Sequence, residues 1–346
     1  MEAIREALNK AGVEETVQEE LLKAERKSTR SNNDSGWRQY ARYCQEKGKD
    51  PKKYDINAAL EHLTQVGRRS HGSAKLGRSA IAQTWKILHP QEPILSEHQL
   101  CKKLFKALKE RHPEKPKRKV AWDANKVLER LKRYDNEEIS LPKLARKAAT
   151  LLAMATFWRP RSDLSRIELE DVVIEDGRLE IIATKPKEGG FKRTEIFKIT
   201  EETICPVRTL EEYLRRTKEM REGTTNLFIT FSKPYRDCKA DTLAAWITEI
   251  LKEAGIKNAS PHSLRGVITS KALHDGMPLE QILKKANWKE ERTFRRHYLR
   301  PPANDPIGVH EVNEEHSGIN ESSLTKFIEE CSSSRSEREL PSHPPQ

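Results

Sequence analysis

Apolar residues recur at spacings of three and four along most of this chain, and that period predicts a mainly helical protein. Residues 1 to about 27 read as a charged helix, and STRSNND at 28–34 reads as a polar break with several N-cap candidates. Trp37, Tyr40, Ala41 and Cys44 then form one stripe, which Gly48 and Pro51 bring to an end. Asp55 is placed to cap a helix carrying Ile56, Ala59, Leu60 and Leu63, and a further helix over 96–111 sets Leu100, Leu104 and Leu108 on one face. From Asp123 the pattern resumes in ANKVLERLKRY and in LPKLARKAATLLAMATFW, where Pro142 suits a first helical turn. RPRSDLSRIELEDV reads as loop, helix and exit. The period then falls to two in VVIEDGRLEIIAT and KRTEIFKI, with Asp176-Gly177 as a hairpin signal, so two or three antiparallel strands are expected. Helices follow over 206–222 and 239–255. The fold class is therefore mainly α with a small antiparallel β-sheet.

Charge narrows the partner. The 346 residues carry a formal net charge of +11. The segment 305–346 holds nine acids against three bases, so the 304 residues before it carry +17. A body that basic expects a polyanion, and nucleic acid leads because no basic amphipathic helix for a membrane surface stands out. No apolar run reaches transmembrane length, and MEAIREALNK lacks the apolar core of a secretory signal. Five scattered cysteines without a C-x-x-C pair argue against a zinc site and a disulfide framework, so an intracellular, soluble protein is expected.

Two stretches carry chemistry. In GRRSHGSAKLGRSAIAQTWKILHP (67–90), Arg68, Arg69, Lys75, Arg78 and Lys86 stand among small and hydroxyl residues where a loop is expected to enter a helix, a setting that suits backbone phosphates. In SPHSLRGVITSKALHDGMPLEQILKKANWKEERTFRRHYLRPP (260–302), His262 and Arg265 share a helical face, and Tyr298 lies among Arg292, Arg295, Arg296 and Arg300. Guanidinium forks grip phosphate oxygens in pairs, and a phenol held beside them is a candidate nucleophile.

The order His-x-x-Arg, Trp288, Tyr298 resembles the C-terminal signature of the tyrosine recombinase (phage integrase) family, and ANW…TFRRHYLRP is most similar to recombinases of eukaryotic mobile elements of the DIRS and Crypton kind. That resemblance implies a site. Arg159, at the end of TFWR, matches the first catalytic arginine, with Arg161 the alternative register. Lys187 in ATKPKEGG matches the hairpin lysine, with Lys185 second. His262 would move a proton or bind a phosphate oxygen. Trp288 has one donor and no acceptor, so it either binds phosphate or only packs. Tyr298 would attack a DNA phosphodiester to leave a 3′-phosphotyrosine, with no metal and no cofactor.

The domain layout so implied is an N-terminal helical extension (1–27), a helical core-binding, SAM-like DNA-binding domain (28–111), a basic linker (112–120), a catalytic domain (121–304) and an acidic, largely disordered tail (305–346). Within the tail, Leu324, Phe327, Ile328 and Cys331 predict a short helix near 322–331 whose apolar face must dock, in trans on a DNA-bound neighbour or in cis on a free monomer. Expected partners are double-stranded DNA and a homo-oligomer, dimer to tetramer, on that DNA. KPKRKV in the linker also resembles a nuclear-import signal, so a eukaryotic copy would be nuclear. Two other readings stand beside recombination: an inactive, domesticated DNA-binding protein of the same fold, and a type IB topoisomerase-like nicking-closing enzyme.

Overall fold

The computed structural model describes residues 2–113, 122–184, 186, 190–301 and 323–333, and it divides into two units, Met1–Lys117 and Arg118–Gln346. The basic linker from 114 to 121 lies outside the described residues, as do Lys185, Lys187 and the tail segments 302–322 and 334–346.

The N-terminal unit consists of α1 (Glu2–Lys10), α2 (Glu15–Lys23), α3 (Lys27–Glu46), α4 (Ile56–Arg69), α5 (His71–Leu88) and α6 (Gln99–Arg111). Asp55 caps α4 by accepting the Ala58 N–H at 2.9 Å. Ser70 alone separates α4 from α5 and caps the latter through the Ser73 N–H, so two helices abut where a loop was expected. Tyr40 and Cys44 of α3, Leu63 of α4, Ile81 and Trp85 of α5, and Cys101, Phe105 and Leu108 of α6 form the core. Three expectations are corrected here. The first 27 residues are two helices, followed by the start of a third. STRSNND is no break: it lies within α3, because packing of that helix against α5 outweighs the weak helix preference of small polar residues. The Asn33 side chain donates to Gln83 across that contact. Finally, Leu100 is exposed, and the inner stripe of α6 runs through Cys101, Phe105 and Leu108 instead.

The second unit comprises α7 (Asn125–Lys132), α8 (Leu141–Thr156), β1 (Val172–Glu175), β2 (Arg178–Ala183), β3 (Lys192–Phe197), α9 (Pro206–Thr217), α10 (Ala240–Glu253), α11 (Pro261–His274), α12 (Leu279–Ala286), α13 (Glu291–His297) and α14 (Ser323–Ser332). Every residue of α8 from Lys147 to Thr156 is buried, making it the helix around which the others pack. The sheet runs β1-β2-β3, antiparallel throughout, with Val172 opposite Ile181 and Ile181 opposite Thr194. Asp176 and Gly177 turn the first hairpin with φ of 49° and 76°, the two left-handed residues that such a turn requires. RPRSDLSRIELEDV differs from expectation: it forms only two short 3-10 turns, Leu164–Arg166 and Leu169–Asp171. A single α-type bond, from the Asp163 N–H to the Arg159 carbonyl at 2.9 Å, opens it, and the Asp163 side chain accepts the Arg159 N–H in return at 3.1 Å.

The short tail helix α14 docks on its own chain. Leu324, Phe327, Ile328 and Cys331 are buried among α7, α8, α11 and β3. The Leu324 N–H donates to Asn125 at 2.9 Å and the Thr200 N–H to the Glu330 carboxylate at 2.7 Å. No described helix is long and apolar enough to cross a membrane.

Candidate active site

Thr156 closes α8, and Phe157 follows in the left-handed region at φ 58°, turning the chain sharply so that Arg159 leaves the core. The turn is held from below. Asp163 takes both the Arg159 N–H and the Lys192 ammonium, the latter at 2.7 Å, and the Asp163 and Lys192 side chains are almost wholly buried. Burial alone would push the Asp163 carboxyl upward. The charge and hydrogen bond of Lys192, with help from Arg159, outweigh it and hold the carboxyl below its ordinary range.

On α11, Ser260 and Ser263 form a reciprocal capping box, and His262 and Arg265 follow on the first turns. Arg265 is 1% exposed, a burial that a guanidinium tolerates only when it is well held. One of its terminal nitrogens donates to the Ala286 carbonyl at the end of α12. Its Cζ stands 4.4 Å from the centre of the Trp288 ring and 5.1 Å from that of Tyr298. Asn287, left-handed at φ 53°, turns the chain out of α12 and delivers Trp288. The Trp288 indole nitrogen is buried with no hydrogen-bond acceptor among the described residues.

Tyr298 follows α13 directly, its N–H bonded to the Phe294 carbonyl at 2.8 Å. Its hydroxyl lies 3.4 Å from the Arg159 guanidinium, at the long end of a hydrogen bond. The ring packs 4.5 Å from Trp288 and 5.3 Å from His262, centre to centre. Arg159, His262, Arg265, Trp288 and Tyr298 are therefore neighbours, drawn from parts of the chain up to 139 residues apart. The arrangement sets one guanidinium at the phenolic hydroxyl and a second over the phenol ring, with an imidazole and an indole packed against the same ring. It can bind a doubly oxygenated anion and present an oxygen nucleophile to it.

The other sequence candidates lie elsewhere. Arg161 is exposed and pairs with Asp241 of α10, away from Tyr298. Lys187 and Lys185 fall outside the described residues. Arg68, Arg69, Lys75 and Lys86 are exposed, whereas Arg78 is half-buried with its guanidinium 4.2 Å over the Phe105 ring. Arg295 and Arg296 are exposed on α13, Arg295 paired with Glu291. Sequence reasoning missed Lys192 altogether, because a lysine followed by Arg193 in a polar strand reads as solvated.

A helical catalytic unit with a three-stranded sheet and a tyrosine among arginines is the architecture of a tyrosine recombinase. Residues 123–304 match the model of the phage integrase family, and the chain belongs to that family of DNA breaking-rejoining enzymes. Among solved structures it is similar in fold to a lambda integrase tetramer bound to a Holliday junction, with a TM-score of 0.52, 15% identity, and coverage of 84% of this chain and 76% of that one. A lambda integrase dimer bound to a COC' core site gives a TM-score of 0.51 at 17% identity, covering 86% and 79%. No curated protein matches.

Proposed function

We propose that this chain cuts and rejoins double-stranded DNA through a covalent bond between Tyr298 and a 3′ phosphate. The observation that carries the reading is the Tyr298 hydroxyl at 3.4 Å from Arg159, inside the ring of Arg265, His262 and Trp288. In the forward step the phenolic oxygen attacks phosphorus, the bond to the 5′ oxygen breaks, and the phenolic proton passes to His262 or to solvent. Arg159 and Arg265 hold the non-bridging oxygens where charge accumulates in the transition state. Trp288 either donates its N–H to one of them or only packs against the Tyr298 ring; having no acceptor, it moves no proton. A hairpin lysine, Lys187 or Lys185, returns a proton to the departing 5′ oxygen; lysine suits that task as a mobile ammonium. One phosphoester replaces another, so the reverse attack by a 5′ hydroxyl reseals DNA without an external energy source.

The exposed bases of α4 and α5 support a role for the N-terminal unit as the second hold on DNA, through Arg68, Arg69, Lys75 and Lys86, and Arg295 and Arg296 extend that role on α13. Similarity to lambda integrase dimers and tetramers on DNA supports assembly of this chain as a homo-oligomer on its site. KPKRKV supports nuclear import, and the TFRRHYLRP ending an origin in a DIRS- or Crypton-like mobile element. The retention of every chemistry-bearing residue type disfavours a binding-only relic.

The test is covalent capture on a pool of nicked duplex oligonucleotides with a randomised core. The expected result is a detergent-resistant protein–DNA adduct that Tyr298→Phe loses while still binding the recovered duplex. An adduct that persists in Tyr298→Phe, or a wild-type chain that forms none, overturns the reading. Transfer of the captured strand to a second duplex distinguishes recombination from simple nicking and closing.

A further inference from the structure

The segment that carries Tyr298 lies along one ridge of α11. His262, Gly266, Ser270 and His274 are spaced by four, so they form a single row along that helix. His262 packs on the Tyr298 ring. At Gly266 a side chain would be tight: a Cβ would stand 3.0 Å from the Tyr298 carbonyl oxygen and 3.1 Å from the Arg300 guanidinium, so the Tyr298 segment would have to give by a few tenths of an ångström. The Ser270 hydroxyl, 2% exposed, accepts the Arg300 N–H at 2.8 Å and carries its own proton toward the Gly266 carbonyl at 2.6 Å and the Tyr298 carbonyl at 3.3 Å. His274 Nε2 donates to the Arg300 carbonyl at 3.1 Å. The Arg300 side chain folds back to donate to the His297 and Leu299 carbonyls.

We propose that Ser270 and Gly266 are positioning residues that seat Tyr298–Arg300 on α11 and thereby set where the nucleophilic hydroxyl stands. This rests on the assignment of Tyr298 as nucleophile. Three features carry it beyond ordinary packing. Helix α13 has only seven residues and cannot place its own C-terminus, since so short a helix is marginal alone. Glycine in the middle of α11 is a destabilising choice for a helix, and the close approach of the Tyr298 backbone is what requires it. One serine hydroxyl meets three backbone groups, two of them on the segment carrying the nucleophile, so losing it frees the tyrosine without touching Arg159, Arg265 or His262. Neither residue reaches the reacting atoms; each acts through the main chain of Tyr298.

The experiment uses the full chain and the nicked duplex recovered by wild-type capture, with single-turnover adduct formation followed at saturating DNA. Ser270→Ala and Gly266→Ala are each expected to lower the rate constant about tenfold, since a misplacement of about 1 Å costs about a hundredfold and the shifts here are smaller. The final adduct amplitude, the DNA dissociation constant and the melting temperature should hold. The deficit should persist on a duplex with sulfur in place of the bridging 5′ oxygen, where protonation of the leaving group no longer matters. Ser270→Cys, equal in size but a weak hydrogen bonder, carries the same test if the alanine variant folds poorly. Unchanged rate constants in these variants overturn the inference while leaving Tyr298 as nucleophile, provided Tyr298→Phe stays inactive. So does loss of amplitude and melting temperature at an unchanged rate constant, which marks a role in folding alone. If instead the wild type forms no adduct, or Tyr298→Phe still does, the assignment of Tyr298 fails and takes this inference with it.

Discussion

In the N-terminal unit Arg68, Arg69, Lys75 and Lys86 stand in solvent, and among its described residues no Lys, Arg, Asp or Glu is buried. The catalytic unit buries Lys147, Asp163, Lys192, Arg265 and Glu330. Desolvating a charge costs several kcal/mol even after relaxation, so the second unit spends stability that the first does not. Each buried charge has at least one hydrogen-bond partner: Lys147 donates to the Tyr134 carbonyl, Lys192 to Asp163, Arg265 to the Ala286 carbonyl, and Glu330 accepts from Thr200. The contrast separates two uses of positive charge. Binding DNA by releasing its counterions needs charges near phosphates with no fixed geometry. Stabilising a phosphorane needs a guanidinium aimed at one oxygen, and aim comes from packing.

If that division holds, the largest effect belongs to Arg265. Arg265→Ala should lower the single-turnover rate of adduct formation by about a thousandfold, at the upper end for one transition-state donor. DNA affinity should fall far less. Arg265→Lys should not restore the rate, because an ammonium cannot reproduce the fork. An equal rate loss from Arg69→Ala would break the comparison.

Next comes the buried pair beneath Arg159. Asp163→Ala takes from the desolvated Lys192 ammonium its carboxylate, and removing one partner of such a pair costs about 3–5 kcal/mol. Chemical denaturation reads that directly. Because the folded carboxyl titrates below its unfolded value of about 3.9, its stabilising contribution is complete above that pH and is lost as pH falls through the folded value. Asp163→Asn should therefore flatten the acid limb of the stability curve below about pH 4. An unaltered limb would place the acid sensitivity elsewhere.

Removal of the tail by truncation at Asp305 strips four buried apolar side chains from the catalytic unit. The apolar surface of α7, α8, α11 and β3 that they cover becomes exposed to water, and a lower melting temperature is expected. If the shortened chain also assembles on DNA and recombines at the full rate, the tail helix has no part in assembly.

The smallest effects fall on the N-terminal unit. Alanine at Arg68, Arg69, Lys75 or Lys86 should change stability by less than about 0.5 kcal/mol. Each one that meets a phosphate should reduce the slope of log K against log salt by about 0.9. Arg78→Ala should add a stability loss of about 0.5–1 kcal/mol from its stack on Phe105. A salt slope equal to the wild type's in every one of these variants would remove the unit from the DNA interface.

Helical period, the Asp55 cap and the Asp176-Gly177 turn are legible in the sequence because each depends on residues a few positions apart. So is the shared face of His262 and Arg265. STRSNND and Leu100 mislead for the opposite reason: whether a polar run continues a helix, or which of two adjacent stripes turns inward, depends on α5 and the core it faces. Arg159 and Arg161 are equivalent by local pattern, and only the left-handed Phe157 and the Asp163 contact set one beside Tyr298 and the other beside Asp241.

By itself the sequence determined a mainly helical, strongly basic chain, the helices and hairpin that short-range chemistry dictates, and the residue types that a phosphoryl-transfer site requires. Tertiary structure alone decided which arginine meets the tyrosine, that Lys192 is buried against Asp163, that α14 docks on its own unit, and that a glycine and a serine on α11 hold the backbone of Tyr298. The physical reason is separation along the chain. Turns, caps and helical faces are settled by neighbours in sequence, whereas burial of a charge and the aim of a side chain are settled by groups that only folding brings within a few ångströms.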